Sequence, residues 1–261
     1  MTQHVPSPDP DPAGRVALIT GGSRGIGAAT ATEFARLGYR VVINYHHRAQ
    51  VADKLAHTIT AAGGQAITVA ADVRDPDHAT QLATEAVRHY GRVDTLVCNA
   101  ATPIHPAPFA SMPWTDFAAK LTDELAAAFH ICQAVLPIMQ QQAYGRIVFV
   151  SSNHSEGPAA PGMIAHGTAK AALNTFARYL AHEQGPHQIT ANVVSPGYVH
   201  TDAATANISP QGEANIARRT PLGRVAEPLD IARIIALIGS EPAGFTTGAT
   251  IPVNGGLTLA H

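Results

Sequence analysis

Residues 16–27 read Val-Ala-Leu-Ile-Thr-Gly-Gly-Ser-Arg-Gly-Ile-Gly, an apolar run followed at once by a glycine-rich turn. Residues 16–20 are predicted to form a β-strand, and the Ala-rich pattern of residues 28–37 the helix after it. Gly21, Gly25 and Gly27 lie where a chain must turn sharply, let its amides approach a diphosphate and pack a helix closely on a sheet. The free amides at the helix N-terminus also favour an anion. The stretch therefore predicts a turn that binds a dinucleotide.

The same alternation of short apolar runs and longer helical patterns continues through the chain. Further strands are predicted at residues 40–45, 66–70, 95–98, 146–151, 189–194 and 250–253, and further helices at residues 49–62, 77–90, 115–142, 165–183 and 229–240. Several of the apolar runs do not alternate with polar residues, as expected of parallel strands covered on both sides. The predicted fold class is α/β, a Rossmann-type doubly wound, seven-stranded parallel sheet flanked by helices on both faces.

Length and composition indicate one domain with a small-molecule partner. The chain has 261 residues and a formal charge of −2, without a basic stripe that would suggest nucleic acid. Residues 1–13 are Pro-rich and are expected to form a disordered tail, which leaves 14–261 as a single dinucleotide-binding catalytic domain. We expect no secretion signal, no membrane span and a cytoplasmic location. Two cysteines without metal-ligand spacing and 14 scattered histidines predict no metal site.

The end of the second predicted strand bears on which nicotinamide cofactor is used. It reads Asn44-Tyr45-His46-His47-Arg48 and has no acid to accept from a ribose 2′-hydroxyl. Arg24, in the glycine turn, and Arg48 are both placed to meet a 2′-phosphate. We therefore predict NADP(H) as the cofactor. The alternative is that both arginines are solvated surface charges.

Two later segments supply the chemistry. Ser151 and Ser152 end the fifth predicted strand, and residues 165–170 read Ala-His-Gly-Thr-Ala-Lys, which places His166 and Lys170 on one face of a helix. With the glycine turn, these segments resemble the compact, classical type of the short-chain dehydrogenase/reductase family over about residues 14–257. The resemblance extends the cofactor site beyond the turn. The glycine turn, the end of the second predicted strand and the family resemblance together assign cofactor contacts to Gly21, Ser23, Arg24, Gly25, Ile26, Gly27, Tyr45, Arg48, Asp72, Val73, Asn99, Ala100, Lys170, Pro196, Gly197, Val199 and Thr201.

Two positions depart from the family pattern. The family has a tyrosine where this chain has His166, and an asparagine where it has Glu124. The resemblance implies catalytic roles for Ser152, His166, Lys170 and Glu124, with Ser151 as the alternative serine. Imidazolium is a general acid, and neutral imidazole is a base or hydrogen-bond donor. Glu124 is expected to offset repulsion from Lys170, so that the two departures compensate; alternatively, both only fill space.

Three functions remain open from the sequence. The first is an NADPH-dependent ketoreductase that reduces a carbonyl of a cyclic or polyketide-like molecule. The second is a non-redox enzyme, a dehydratase, cyclase or isomerase, that uses His166 and Glu124 as acid and base. The third is a nucleotide-bound sensor or partner subunit. The resemblance also implies a homotetramer, with a homodimer as the second choice of oligomeric state. Residues 202–219 are expected to form a mobile lid over the substrate.

Overall fold

The computed structural model describes residues 14–206 and 208–258, so the predicted tail 1–13 lies outside the described residues. Seven parallel strands form one sheet in the order β3-β2-β1-β4-β5-β6-β7. They are β1 (Val16–Ile19), β2 (Arg40–Tyr45), β3 (Gln65–Ala70), β4 (Thr95–Cys98), β5 (Gly145–Val150), β6 (Ile189–Pro196) and β7 (Thr250–Val253). The predicted fold class is confirmed.

Helices cover both faces of the sheet. They are α1 (Gly25–Arg36), α2 (Ala49–Ala61), α3 (Pro76–Tyr90), α4 (Trp114–Gln142), α5 (Ile164–Gln184), α6 (Asp202–Thr205), α7 (Pro210–Arg219) and α8 (Pro228–Ile238). One apolar core lies between the sheet and α3, α4 and α5, and a second lies between the sheet and α1, α2 and α8. Since both faces are packed, β1 has apolar residues at consecutive positions rather than alternating with polar ones. All four residues of β1 are fully buried.

The strand order reverses at β1, which has β2 on one side and β4 on the other. The connections that leave β1 and β4 therefore diverge, and a crevice opens at the carboxyl ends of these two strands. The glycine turn follows β1 and Asn99 follows β4, so both lie at the rim of that crevice. The topology alone places the predicted dinucleotide site at the switch point.

Helix boundaries differ from the prediction in two places. Helix α1 begins at Gly25 rather than Ala28, because two of the turn glycines lie in its first turn. The segment predicted as a lid contains two helices, α6 and α7. Thr201 and Ser209 start them, since each hydroxyl accepts a hydrogen bond from a backbone amide in the first turn. These two helices were not predicted from the sequence, and the expectation of a mobile lid stays a prediction.

Two further features concern membrane-spanning helices and the two cysteines. Within the described ranges, no helix combines the length and the apolar character that crossing a bilayer requires. Cys98 and Cys132 are both buried free thiols.

Candidate active site

The glycine turn is held in shape by side chains from two neighbouring strands. The Asn99 Nδ2 donates to the carbonyls of Thr20 and Gly21, at 3.0 Å each. The Gly21 amide donates to Oδ1 of Asn44, the last but one residue of β2, at 3.1 Å. Gly21 and Gly25 have φ values of 58° and 52°, in the left-handed region where a side chain is strained. The turn therefore depends on glycine and on two asparagines.

Gly27 has a different role from the other turn glycines. A Cβ on Gly27 would lie 2.4 Å from the Gly21 oxygen and 2.6 Å from the Asn99 Nδ2, which is closer than real contacts. The absence of a side chain lets α1 start directly against the turn. Arg24, the residue that precedes α1, makes no side-chain cap to it. The amides of the first helical turn thus remain available to an anion, as a diphosphate site requires.

A cleft of about 680 Å³ opens beside the turn and reaches the ends of β2, β3 and β4. Most of the predicted cofactor residues line it: Gly21, Ser23, Arg24, Gly25, Ile26, Tyr45, Arg48, Asp72, Val73, Asn99, Ala100 and Thr201. The other predicted residues, Gly27, Lys170, Pro196, Gly197 and Val199, do not contribute to its wall. The cleft therefore brings together the residues assigned to the adenosine and diphosphate, together with Thr201.

Two arginines line this cleft. Arg24 comes from the glycine turn and Arg48 follows β2, and both are exposed. In the part of the chain that the structure describes, neither guanidinium forms a salt bridge. His46 and His47 also line the cleft, with ring centroids 3.5 Å apart and ring planes inclined by 32°. The donors at this end of the cleft are cationic or neutral, which suits a phosphate better than a hydroxyl.

Of the two carboxylates that line the cleft, Asp72 and Asp202, the first is bound by Arg74. The Arg74 Nη2 lies 2.6 Å from Asp72 Oδ2, and its Nη1 lies 2.9 Å from Asp123 on α4. The hydrogen bonds from Arg74 are the main reason that the pKa of Asp72 falls to about 2. Through its contact with Asp123, the Arg74 guanidinium also links the connection after β3 to α4.

The two candidate serines have different environments. Ser151 is buried, and its hydroxyl donates to the carbonyl of Lys170 at 3.4 Å. Ser152 is half-buried at the start of the 3₁₀ helix Asn153–Ser155, where its hydroxyl accepts from the His154 amide at 3.3 Å. The Ser152 hydroxyl donates to the side-chain Oδ1 of Asn153 at 3.4 Å, so both serine hydroxyls have an acceptor at that distance. Ser152 is the more exposed of the two, which favours it as the serine that meets a ligand.

Glu124 lies between two lysines. Its Oε1 is 2.6 Å from Nζ of Lys170, which also donates to the carbonyl of Val150 at 2.7 Å. Its Oε2 is 2.6 Å from Nζ of Lys120, one turn earlier on α4. The three side chains are at most 7 % exposed. We call them the buried charge cluster; it contains two cations and one anion.

Charge in the cluster controls the titration of Glu124. Burial alone would raise the pKa of this carboxyl, but the ammonium groups of Lys170 and Lys120 outweigh burial and lower the pKa to about 2. Glu124 is therefore an anion over the whole neutral range.

His166 is buried next to this cluster. Burial and then the charges of Lys170 and Lys120 lower its pKa to about 3. Its Nδ1 is buried and has no hydrogen-bond partner within the described chain. The His154 ring packs edge to face against it, with centroids 5.6 Å apart. At pH 7 the imidazole is neutral, so it has one N–H to donate and one nitrogen to accept.

Sequence reasoning missed several residues of the site. Lys120 contacts Glu124, Thr102 contacts both of them, Arg74 binds Asp72, and Asn44 supports the glycine turn. Two of these had a signal in the sequence. Lys120 precedes Glu124 by one helical turn, and Asn44 is a polar residue in an otherwise apolar strand. Thr102 had none, because only the fold brings it to its partners. Arg74 lies two residues after Asp72, and only its contact with Asp123 depends on the fold.

Comparison with known proteins places this geometry in context. A family model described as Enoyl-(Acyl carrier protein) reductase matches residues 21–258. Versicolorin reductase 1 of Aspergillus parasiticus is 33% identical over 254 residues, which cover 93% of this chain and 96% of that protein. Cyclohexanol dehydrogenase of a Rhodococcus species is 35% identical over 262 residues, with coverage of 95% and 97%.

Solved structures give the same picture at the level of the backbone. A dehydrogenase/reductase from Sinorhizobium meliloti superposes with a TM-score of 0.87 at 34% identity, over 95% of this chain and 96% of that one. A mutant of a short-chain dehydrogenase/reductase from Serratia marcescens gives a TM-score of 0.88 at 29% identity, with coverage of 96% and 100%. The whole described sheet thus has counterparts in known enzymes.

Proposed function

This chain belongs to the short-chain dehydrogenase/reductase family of oxidoreductases, and we propose that it is an NADPH-dependent reductase of a carbonyl on a cyclic or polyketide-like small molecule. One observation carries the proposal: Arg24 and Arg48 line the cleft, and β2 ends in residues 44–48 without an acidic side chain that would repel a 2′-phosphate. The only acid among the lining residues near that end of the described cleft, Asp72, is neutralised by Arg74.

The residues around the turn fit a dinucleotide. We assign the diphosphate to the amides of the glycine turn and of the first turn of α1, and the adenosine end to Tyr45, Asp72 and Val73. Asn99 and Ala100 form the wall between the two halves. The nicotinamide half is assigned to Lys170, Pro196, Gly197, Val199 and Thr201. When bound, the cofactor supplies the hydride that adds to the carbonyl carbon.

The substrate oxygen is assigned to Ser152 and His166. The Ser152 hydroxyl donates a hydrogen bond to this oxygen, and the neutral His166 imidazole donates a second through its N–H. The proton that completes the alcohol passes from water through the imidazole to the oxygen, so the ring is neutral before and after the step. One net positive charge in the buried charge cluster stabilises the negative charge that develops on the oxygen.

No observation favours the non-redox alternative. It uses His166 and Glu124 as acid and base, but the ammonium groups of Lys170 and Lys120 lower the pKa of Glu124 to about 2, which removes this carboxylate as an acid and makes it a weak base. The relatives support redox chemistry on rings, since the name of one of them specifies a cyclic alcohol, cyclohexanol.

Calorimetry with NADPH and NADH, followed by a carbonyl panel, tests the proposal. We expect tighter binding of NADPH and a loss of absorbance at the reduced-nicotinamide band with cyclic ketones. His166→Phe is expected to lower turnover while leaving NADPH binding intact. Absence of binding to any pyridine coenzyme would refute the proposal. Binding without oxidation of NADPH by any carbonyl would point to the non-redox enzyme or the sensor.

We also propose a homotetramer in the cytoplasm. Phe129 on α4 and Tyr179 on α5 are large side chains that are 43% and 67% exposed on neighbouring helices of one face, which suits burial against a second copy. Light scattering of the purified protein and imaging of a fluorescent fusion test these two statements.

A further inference from the structure

Lys120 is the buried charge that the proposed reaction leaves without an assigned role. It is 4% exposed and lies in the second turn of α4, one turn before Glu124. Glu124 already has a partner of opposite charge in Lys170. A second buried cation therefore adds a desolvation cost without being needed to neutralise the carboxylate. Burial lowers the pKa of Lys120, and Glu124 opposes that effect.

The contacts of Lys120 form a closed ring. Its Nζ donates to Glu124 Oε2 at 2.6 Å and to the Thr102 hydroxyl at 2.8 Å. That hydroxyl in turn donates to the same Glu124 oxygen at 2.9 Å. Both donors therefore bind Oε2, which leaves Oε1 for Lys170. Thr102 also lines the cleft, so the ring connects the buried carboxylate with the cofactor side of the molecule.

We propose that Lys120 is a positioning residue of this site: it holds Glu124 in the orientation that binds Lys170, and it supplies the second cation that leaves the buried charge cluster with one net positive charge beside residue 166. The inference rests on the proposed function for its importance to turnover. Its effect on charge at residue 166 does not depend on that function.

All charged and titratable groups around His166 enter this balance. Lys170 lies on the same helix, Lys120 and Glu124 lie on α4, and His154 lies in the 3₁₀ helix after β5. Asp123 also acts on Lys120, although its own carboxylate binds Arg74. Removal of the Lys120 charge takes the cluster from one net positive charge to none.

A tyrosine at position 166 reports this charge in an accessible pH range. His166→Tyr adds a phenol whose ionisation is followed by the difference in alkaline absorbance from the wild-type protein. Positive charge nearby favours the phenolate. We expect the added phenol to titrate about one pKa unit higher when Lys120→Met is combined with His166→Tyr. Lys120→Arg, which keeps the charge, should leave the titration close to that of His166→Tyr alone.

Two further variants make the test decisive. Lys54→Met removes an exposed lysine on α2 and should not move the phenol titration. Lys120→Gln retains a hydrogen-bond donor for Glu124 but lacks the positive charge. It replaces Lys120→Met in the titration if the Lys120→Met protein does not fold. A phenol titration that is the same with and without the Lys120 charge, in variants with native circular dichroism, would overturn the inference. Failure of the proposed function would instead appear as absent NADPH oxidation with the titration shift intact.

Discussion

The glycine turn and the buried charge cluster solve opposite problems. The turn is made of backbone, and Gly21, Gly25 and Gly27 work because they have no side chains. The cluster is made of side chains, and Lys120, Glu124 and Lys170 can be buried because each charge has an opposite one beside it. Adding an atom to the turn should therefore weaken cofactor binding, and removing a charge from the cluster should lower the free energy of unfolding.

Glu124→Gln should have the largest effect, because it leaves two ammonium groups buried without a counter-charge. We expect the free energy of unfolding to fall by about 4 kcal/mol, as for other buried pairs that lose one partner. Urea denaturation at pH 7 measures this. Adding Lys120→Met to Glu124→Gln should restore part of the loss, since a single ammonium then remains. Glu85→Gln, in a surface pair with Arg88, is the control and should change stability little. A fully stable Glu124→Gln protein would contradict the description of the cluster.

Gly27→Ala tests the other half of the comparison. The added Cβ would meet the Gly21 oxygen at 2.4 Å and the Asn99 amide nitrogen at 2.6 Å, so the turn must shift. A displacement that costs 2–3 kcal/mol weakens NADPH binding by roughly 100-fold. Calorimetry gives the dissociation constant. Gly185→Ala is the matched control, since an added Cβ there meets no atom within 4 Å. Equal affinity in both variants would remove Gly27 from the binding turn.

His166→Phe should make the protein less sensitive to acid. The pKa of His166 is about 3 in the folded protein and about 6.5 in the unfolded chain, so the unfolded state binds more protons between these values. Unfolding free energy is therefore lost as pH falls through this window. Between pH 7 and pH 5 the variant should lose about 2 kcal/mol less than the wild type. Urea denaturation at both pH values measures the difference. His57→Gln, at an exposed position on α2, should behave like the wild type.

Arg48→Ala should have the smallest effect. It tests whether the cleft beside the glycine turn prefers NADPH to NADH. Loss of one charge-assisted contact to a 2′-phosphate should reduce the preference for NADPH over NADH about tenfold. The ratio of the two dissociation constants measures it, with Arg88→Ala on α3 as a control outside the cleft. An unchanged ratio in both Arg48→Ala and Arg24→Ala would mean that the two arginines are surface charges.

The strand, glycine turn and helix at the predicted cofactor site could be predicted because their determinants are local. A strand, a glycine turn and a helix follow one another within residues 16–36, and each is specified by its own sequence. The same holds for the sheet, since strands buried on both faces have apolar runs that can be read directly. The helices α6 and α7 were not predicted, because capping residues resemble loop residues in composition, and the expectation of a lid in this segment stays a prediction.

The sequence by itself determined the parallel sheet and the glycine turn, and it predicts His166 and Glu124 as departures from the family pattern. Tertiary structure alone decided their ionisation. Lys120, Thr102 and Lys170 reach Glu124 from two helices and a connection, and only their distances and burial make the carboxylate an anion and the imidazole neutral. Ionisation depends on desolvation and on charges a few ångströms away, and no residue carries that information in its own position along the chain.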